Sequence, residues 1–271
     1  FIGTYLYNNL KDKYNLFRIF SAKKIIDKNQ CYSVDLTNRE DVIALNNNLA
    51  KIKIDSVIHL ASRMASPNNI DDISIMLDNI KITENIAFMI KKLRPKFLIN
   101  FSSMAVYPNV SGYYSENSLP MPQKNNDCFY GLSKYNSEVL FDYLLKNEEI
   151  SKVHLRVAQV YGEGMRQDRI IPTMKKELKD KNTITVYGNG NRENCFIKIS
   201  KLAELINFLI NNKVNGLFNI GDENISYIKL AKRIIENHGN SKSTLIMESK
   251  GLQERFNLDF SKMKKELIID D

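Results

Sequence analysis

The sequence predicts an α/β fold: a Rossmann-like, doubly wound parallel sheet followed by a smaller, mostly helical C-terminal region. In the first half, short apolar runs alternate with amphipathic stretches, which is the pattern of βαβ units. The apolar runs are nearly continuous, as expected of strands that helices cover on both faces. After Gly164, helical patterns predominate. We therefore expect one domain over residues 1–165 and a second region over residues 166–271.

The individual elements follow from the hydrophobic periodicity. In the first domain we expect strands at 16–21, 56–61, 97–106 and 153–161, and helices at 39–47, 72–93 and 130–145. In the second region we expect helices at 170–181, 201–211 and 227–236, and strands at 184–187 and 216–220. Ser226 suits the N-cap of the last of these helices, and Gly239 suits its end.

The opening of the chain departs from this pattern. The residues Phe1, Ile2 and Gly3 are followed by a helical stretch at 5–12, with no strand ahead of it. A doubly wound sheet begins with a strand that leads into a glycine-rich turn. We therefore expect Gly3 to be the last glycine of such a turn, and the first strand to be missing from this sequence.

Composition excludes several classes of protein. Of the 271 residues, 43% are hydrophobic and 26% are charged, which argues against disorder and fibrous repeats. The net charge of +8 comes from basic residues spread along the chain, so charged helix faces are favoured over nucleic-acid binding. The three cysteines form no C-x-x-C pair, and we expect neither a disulfide framework nor a metal site. With no leader pattern and no long apolar run, we expect a cytoplasmic protein without a membrane partner.

Two Y-x-x-x-K pairs occur, at Tyr7–Lys11 and at Tyr130–Lys134. On a helix this spacing puts both side chains on one face. A lysine ammonium beside a phenol favours the phenolate, so the pKa of such a tyrosine is expected to fall toward neutral pH. The tyrosine can then move a proton to or from a hydroxyl or carbonyl group. Either pair alone is equally consistent with an amphipathic helix that carries a surface lysine.

The surroundings distinguish the two pairs. Tyr130 opens a helix after a polar loop, and the strand at 97–106 includes Ser102 and Ser103. Open α/β sheets bind ligands at the carboxyl ends of their strands. A serine at that position can donate a hydrogen bond to a reacting oxygen, which completes a trio of Ser103, Tyr130 and Lys134.

With these residues noted, the chain resembles an extended short-chain dehydrogenase/reductase of the NAD(P)-dependent nucleotide-sugar epimerase/dehydratase family. The matching segments occur in the family's order over nearly the whole chain. They are residues 1–3, 35–37, 59–62, 79–85, 155–162, 188–196 and 259–267, together with Ser103, Tyr130 and Lys134.

The resemblance implies a role for each matching position. Tyr130 would be the acid/base, Ser103 would polarise the substrate oxygen, and Lys134 would bind the nicotinamide ribose and lower the pKa of Tyr130. The implied dinucleotide site consists of Phe1, Ile2, Gly3, Ser21, Lys23, Asp35, Leu36, Leu60, Ala61, Ser62, Asn79, Tyr130 and Lys134. The implied substrate contacts are Met104, Gln159, Arg192, Asn194 and Arg255. The family often forms homodimers through two helices, which match 72–93 and 130–145 here.

Departures from the family pattern reduce the number of family activities expected of this chain. The 4,6-dehydratases of the family carry an Asp-Glu pair where this chain has Met104 and Ala105, neither of which transfers protons. Asn194 stands where many family epimerases have an arginine that grips the substrate phosphates, and Arg192 lies two residues earlier. Gln159 replaces a frequent asparagine. Dehydration is therefore disfavoured, and the identity of the sugar stays open.

The cofactor preference depends on the end of the second strand of the family's sheet. An acidic residue there would bind the 2′-hydroxyl of NAD, whereas this sequence has Ser21 and Lys23. A small residue followed by a basic one can accept a 2′-phosphate, which favours NADP slightly without excluding NAD.

Three activities remain open. The first is a nucleoside-diphosphate-sugar 4-epimerase, which would serve surface polysaccharide biosynthesis. The second is a 4-ketoreductase that makes a deoxysugar with NADPH. The third is a non-catalytic dinucleotide-sensing protein on the same fold, because fold does not fix function.

Overall fold

A computed structural model describes residues 1–21, 30–66 and 68–267 of the chain. Its helices are α1 (Ile2–Leu10), α2 (Arg39–Leu49), α3 (Ser74–Leu93), α4 (Cys128–Leu144), α5 (Ile170–Lys181), α6 (Ile199–Asn212), α7 (Tyr227–His238) and α8 (Ser261–Glu266). Its strands are β1 (Arg18–Phe20), β2 (Cys31–Ser33), β3 (Ser56–His59), β4 (Phe97–Ser103), β5 (Gly112–Tyr114), β6 (Ser151–Val157), β7 (Gln159–Tyr161), β8 (Thr183–Tyr187), β9 (Glu193–Lys198), β10 (Gly216–Ile220), β11 (Glu223–Ser226), β12 (Thr244–Glu248) and β13 (Phe256–Leu258).

The main sheet is parallel and has the strand order β10-β6-β4-β3. Strands β1 and β2 form a separate parallel pair. Because all strands of the main sheet run in one direction, their carboxyl ends meet at one edge, where α/β folds bind ligands. The predicted α/β class is confirmed.

Helices cover the sheet on both faces, and each layer encloses an apolar core. One core joins α1 and α6 to the strands and includes Leu6, Phe97, Leu155, Leu205 and Phe218. The other core joins α2, α3 and α4 to the strands and includes Val42, Leu45, Ile86, Ile90 and Phe141. The first core contains residues from both sides of position 165.

The strand β10 belongs to the part of the chain predicted as the second region, but it pairs with β6 in the main sheet. Helix α6, which precedes it, packs on the same sheet through Leu202 and Leu209. The C-terminal part also holds the short strands β8, β9 and β11 to β13 beside its helices. Strands of three to six residues show little periodicity, which is why the pattern indicated fewer of them.

The predicted strand at 153–161 is two strands. Ala158, between β6 and β7, donates its N–H to the carbonyl of Ile220 at 2.8 Å, and the chain then leaves the main sheet. Strand β7 pairs with β9 instead, so that Gln159 lies opposite Phe196. This turn carries the chain from the main sheet into a three-stranded sheet of order β11-β9-β7.

The ends of α7 agree with its local sequence signals. Ser226 caps α7 by accepting a hydrogen bond from the N–H of Lys229, and the helix ends at Gly239, as predicted. Over the described ranges, no helix combines the length and apolar character that a membrane span requires.

Candidate active site

The residues Ser103, Tyr130 and Lys134 meet at the carboxyl edge of the main sheet. Ser103 ends β4, and its hydroxyl oxygen accepts the N–H of Ala105 at 3.1 Å. The side chain of Ser103 is also hydrogen-bonded to that of Tyr130, in the first turn of α4. Because a backbone N–H occupies one lone pair of Ser103, its hydroxyl proton can point at the phenol oxygen.

Tyr130 keeps its proton at neutral pH in this environment. Burial raises the pKa of Tyr130 to about 12, while the hydrogen bond from Ser103 lowers it. Two further charges act on the same pKa: Asp127 raises it and Arg169 lowers it. The expectation that the pKa of Tyr130 falls toward neutral pH is therefore wrong for the protein alone. Loss of water around the phenol outweighs the favourable contacts.

Lys134 is buried and points toward strand β4. Its Nζ atom donates to the carbonyl oxygen of Phe101 at 2.9 Å and lies 5.6 Å from the centre of the Tyr130 ring. Burial lowers the pKa of Lys134 to about 8. The ammonium thus faces the ring of Tyr130 rather than its hydroxyl.

A buried polar layer lies between α4 and the sheet, and the sequence analysis missed it. Its members alternate along two strands and face the same side of the sheet: Asn100 and Ser102 on β4, and His154 and Arg156 on β6. They contact Ser137 and Glu138 of α4. The signal was present in the sequence as polar residues at alternate positions of otherwise apolar strands.

Asn79 of α3 holds the segment after β3. Its amide oxygen accepts the N–H of Arg63 at 2.6 Å, and its amide nitrogen donates to the Arg63 carbonyl at 3.0 Å. The same nitrogen donates to Ser133 of α4 at 3.0 Å. Asn79 therefore fixes the segment that contains Leu60, Ala61 and Ser62 against the helix that carries Tyr130 and Lys134.

The remaining residues of the implied dinucleotide site lie in α1, after β1, after β2 or outside the described residues. Phe1 and Ile2 begin α1, and a Cβ atom on Gly3 would lie 3.6 Å from the side chain of Leu60, an ordinary contact. The carboxylate of Asp35, after β2, accepts hydrogen bonds from the hydroxyl and the N–H of Thr37, which lower its pKa.

Leu36 follows Asp35, and its carbonyl accepts a 2.7 Å hydrogen bond from Asn85 of α3. Ser21 follows β1 and is exposed. Lys23, the basic residue on which the NADP preference depends, lies outside the described residues.

The implied substrate residues are distributed over a 3₁₀ turn at Met104–Val106, the β7-β9 sheet and the C-terminal segment. Met104 follows Ser103 in a 3₁₀ turn, and Gln159 begins β7. The guanidinium of Arg192 lies over the ring of Tyr227, 5.2 Å from its centre. Asn194 is buried, and its amide oxygen accepts the N–H of Cys195 at 2.8 Å. Arg255 is exposed, and its backbone N–H donates to Ser111.

Curated proteins that resemble the chain act on nucleotide sugars in several ways. A dTDP-D-glucose 4,6-dehydratase of Dictyostelium discoideum is 26% identical over 87% of this chain and 59% of its own length. A dTDP-4-dehydro-6-deoxyglucose reductase of Escherichia coli is 28% identical over 73% of this chain and 64% of its own length. A UDP-glucuronate 4-epimerase of Thermodesulfobacterium geofontis is 28% identical over 72% of this chain and 60% of its own length. The chain thus matches less than two thirds of each relative.

Solved structures share the fold. A UDP-N-acetylglucosamine 4-epimerase from Bacillus cereus superposes with a TM-score of 0.80 at 24% identity, covering 99% of this chain and 87% of that protein. MoeE5 in complex with UDP-glucose and NAD superposes with a TM-score of 0.79 at 22% identity, covering 98% and 89%. Both have the Rossmann architecture found here.

The family assignment comes from a model that matches most of the chain. The model described as the NAD dependent epimerase/dehydratase family matches residues 1–221, from the start of α1 to the end of β10. This range contains every strand of the main sheet and the meeting point of Ser103, Tyr130 and Lys134. The chain belongs to the NAD-dependent epimerase/dehydratase family.

Proposed function

We propose that the chain is an NAD(P)-dependent nucleoside-diphosphate-sugar 4-epimerase. The observation that carries the proposal is the hydrogen bond between Ser103 and Tyr130 at the carboxyl edge of the sheet, with Lys134 buried beside the ring. This arrangement supports the proposal, because the phenol would serve as proton donor and acceptor, the serine hydroxyl would polarise the substrate oxygen, and the lysine would supply positive charge. A sugar hydroxyl bound there can lose and regain its proton through Tyr130.

The residues at this edge fit a nicotinamide dinucleotide. Lys134 keeps N–H groups free beyond the one given to Phe101, and these suit ribose hydroxyls. The exposed Asp35 and the first turn of α1 suit the adenosine and pyrophosphate groups. A bound nicotinamide would supply a hydride acceptor and donor for the sugar carbon.

The chain's own residues carry out the proton transfer. In its phenolate form, Tyr130 accepts the proton of the C4 hydroxyl, and Ser103 donates a hydrogen bond to the same oxygen as it becomes a carbonyl. Because burial makes ionisation of Tyr130 unfavourable, the transfer depends on nearby positive charge. Arg169 supplies such a charge in the protein alone, and Lys134, whose pKa is about 8, carries a second one 5.6 Å from the centre of the ring.

Dehydration is disfavoured by the residues that follow Ser103. Met104 and Ala105 carry no group that can remove or add a proton. The relatives include a 4,6-dehydratase, so similarity alone does not choose the reaction. The choice between reactions depends on these two side chains.

A second candidate is a 4-ketoreductase that uses NADPH to make a deoxysugar. Ser21, which follows β1, is uncharged, and Lys23 follows in the sequence, so a 2′-phosphate meets no carboxylate at these two positions. We expect NADPH to bind at least as tightly as NADH, measured by fluorescence of the reduced nicotinamide. Lys23→Glu is expected to weaken NADPH binding roughly tenfold relative to NADH.

We also propose a homodimer, formed through α3 and α4. These helices and the residue before α3 expose apolar side chains that a second copy would cover: Ile73, Leu77, Val139 and Tyr143. Leu77→Glu combined with Val139→Glu is expected to halve the mass measured by light scattering. A wild-type monomer would contradict this proposal. As part of the same proposal, the enzyme works in the cytoplasm and supplies sugars for surface polysaccharides.

The test of the activity uses the purified chain with NAD or NADP and three probes: UDP-glucose, UDP-N-acetylglucosamine and UDP-glucuronate. Proton NMR of the products is expected to show inversion at C4 for at least one probe. The dinucleotide released on denaturation is identified by mass. Consumption of NADPH with a 4-keto sugar nucleotide instead would favour the reductase, and dinucleotide binding without turnover of either kind would favour a sensing protein.

A further inference from the structure

An ion pair is buried directly behind the catalytic residues. Arg156 of β6 contacts the carboxylate of Glu138 through two hydrogen bonds, from Nε to Oε1 at 3.0 Å and from Nη2 to Oε2 at 2.8 Å. Both side chains are more than nine-tenths buried. Ser102 of β4 donates a third hydrogen bond to the same carboxylate.

This carboxylate joins the two elements that carry the catalytic trio. Glu138 lies one helical turn after Lys134 on α4, and Ser102 is the neighbour of Ser103 on β4. A parallel contact joins the same two elements, since the amide of Asn100 donates to Ser137 at 3.1 Å. The position of α4 along β4 is therefore set by specific polar contacts.

The ion pair is also anchored on its far side. Arg156 donates to the hydroxyl of Tyr107 at 2.9 Å, and that hydroxyl donates to the side chain of Asn219 on β10 at 2.8 Å. The amide of Asn219 in turn donates to the carbonyl of Tyr114 at 2.9 Å. The guanidinium is thus held by groups from outside α4 and β4, and it cannot follow Glu138 if the helix shifts.

A buried ion pair contributes little net stability to a fold. The cost of removing two charges from water cancels most of their attraction, and an apolar pair of similar size is often as stable. What the pair supplies here is a fixed geometry between the two side chains, because a bidentate contact sets both distance and angle.

We propose that Glu138, oriented by Arg156, is a positioning residue for catalysis: through Ser102 it sets the register between α4 and β4 and thereby the hydrogen bond between Ser103 and Tyr130. This inference rests on the proposed function, since it assigns the hydrogen bond a catalytic role. Glu138 is buried between α4 and the sheet and is assigned no contact with the substrate. It acts through the placement of the two elements.

Two variants test the proposal. Glu138→Gln keeps the shape of the side chain but loses one of the contacts with Arg156, and Ser102→Ala removes only the link to β4. For the probe that the wild type epimerises fastest, we expect kcat to fall about 10- to 100-fold in Glu138→Gln and several-fold in Ser102→Ala, with KM unchanged. We also expect the pH profile of kcat to move to higher pH in both, because the pKa of Tyr130 rises when its contact with Ser103 weakens.

A matched control is Glu177→Gln. Glu177 of α5 also links a helix to a strand, because its carboxylate accepts hydrogen bonds from the N–H and hydroxyl of Thr185 at 3.0 and 2.8 Å, away from the catalytic trio. We expect this variant to lose stability without any change in kcat or in the pH profile. If all three variants lose activity only in proportion to their loss of folded protein, the pair is merely structural and the proposal is wrong.

A readout without turnover separates this proposal from the proposed function. The ¹³Cζ resonance of Tyr130, assigned with Tyr130→Phe, reports the hydrogen bond from Ser103. We expect Glu138→Gln and Ser102→Ala to move this resonance in the same direction as Ser103→Ala, and Glu177→Gln to leave it unchanged. A wild type that turns over no probe would defeat the proposed function alone, whereas an unmoved resonance would defeat the positioning role.

Discussion

The Nζ atom of Lys134 donates a 2.9 Å hydrogen bond to the carbonyl oxygen of Phe101, two residues before Ser103. This contact orients the ammonium toward the strand and leaves its remaining N–H groups available to a bound molecule. It also holds the positive charge 5.6 Å from the centre of the Tyr130 ring. Strand β4 therefore contributes its backbone to the site as well as Ser103.

Tyr130→Phe is expected to lower kcat by about 10²- to 10⁴-fold, because it removes the group that moves the proton. Dinucleotide binding should remain, since Phe keeps the ring that packs beside Lys134. Tyr7→Phe is the matched control, because Tyr7 and Lys11 form the other Y-x-x-x-K pair, at the far end of α1. Steady-state kinetics and NADH fluorescence check both variants. Unchanged turnover in Tyr130→Phe would contradict the assignment of Tyr130 as the acid/base.

Ser103→Ala is expected to reduce kcat by about 10²-fold, because it removes a hydrogen-bond donor to the reacting oxygen. It should also move the pH profile to higher pH, since the hydrogen bond from Ser103 lowers the pKa of Tyr130. Ser103→Thr retains a hydroxyl and should recover part of both effects. The measurement is kcat across a pH series. A profile that stays in place would show that Ser103 does not act on the ionisation of Tyr130.

Much of the fold could be predicted from local pattern. Helix α5 and strand β10 have the predicted bounds, and the trio of Ser103, Tyr130 and Lys134 comes together at the sheet edge. These features depend on periodicity and on residue type at fixed spacing. Strand β2 was missed because three residues are too few to show alternation.

Contacts between distant residues were beyond prediction from pattern. The bond from Lys134 to Phe101 and the ion pair of Arg156 with Glu138 depend on how α4 lies against the sheet. The prediction that the pKa of Tyr130 falls was wrong for the same reason, because the spacing of Tyr130 and Lys134 carries no information about burial. Alternating polar residues on β4 and β6 were the available sign of the buried layer.

Gly131→Ala is expected to lower both stability and activity. A Cβ atom at Gly131 would lie 2.3 Å from the carbonyl oxygen of Ala105, so α4 and the 3₁₀ turn must move apart. Overpacking of this kind costs about 1 to 3 kcal/mol. Gly3→Ala is the control for stability, since its Cβ would meet only an ordinary contact at 3.6 Å. Urea denaturation measures the stability of both variants. A Gly131→Ala variant as stable as wild type would contradict the close packing.

Cys195 is expected to resist thiol reagents in the native protein. It is fully buried on β9, its thiol donates to the amide oxygen of Asn224 at 2.8 Å, and burial raises its pKa to about 12. Cys31 and Cys128 are partly exposed and should react first. Titration with a disulfide reagent, followed by peptide mass mapping, tests the order. Early labelling of Cys195 would mean that the β7-β9-β11 sheet opens readily.

His59 is expected to make the fold less stable as the pH falls. Burial, and then the charge of Lys134, lowers the pKa of His59 to about 3, from 6.5 in the unfolded chain. Between these values the unfolded state binds a proton that the native state does not bind. Stability should therefore decline below pH 6.5, at about 1.4 kcal/mol per pH unit once the unfolded histidine is protonated.

The window from pH 6 to pH 5 isolates this effect, because the carboxylates with lowered pKa values, such as Asp35 and Asp55, stay ionised in both states there. His59→Gln lacks the titrating group, and its free energy of unfolding should depend less on pH by the same amount, as measured by urea denaturation. Lys134→Met should raise the pKa of His59. The decline in stability should then stop at a higher pH than in the wild type. If wild type and His59→Gln show the same slope, His59 is protonated in the native state, and the end of β3 is open to water.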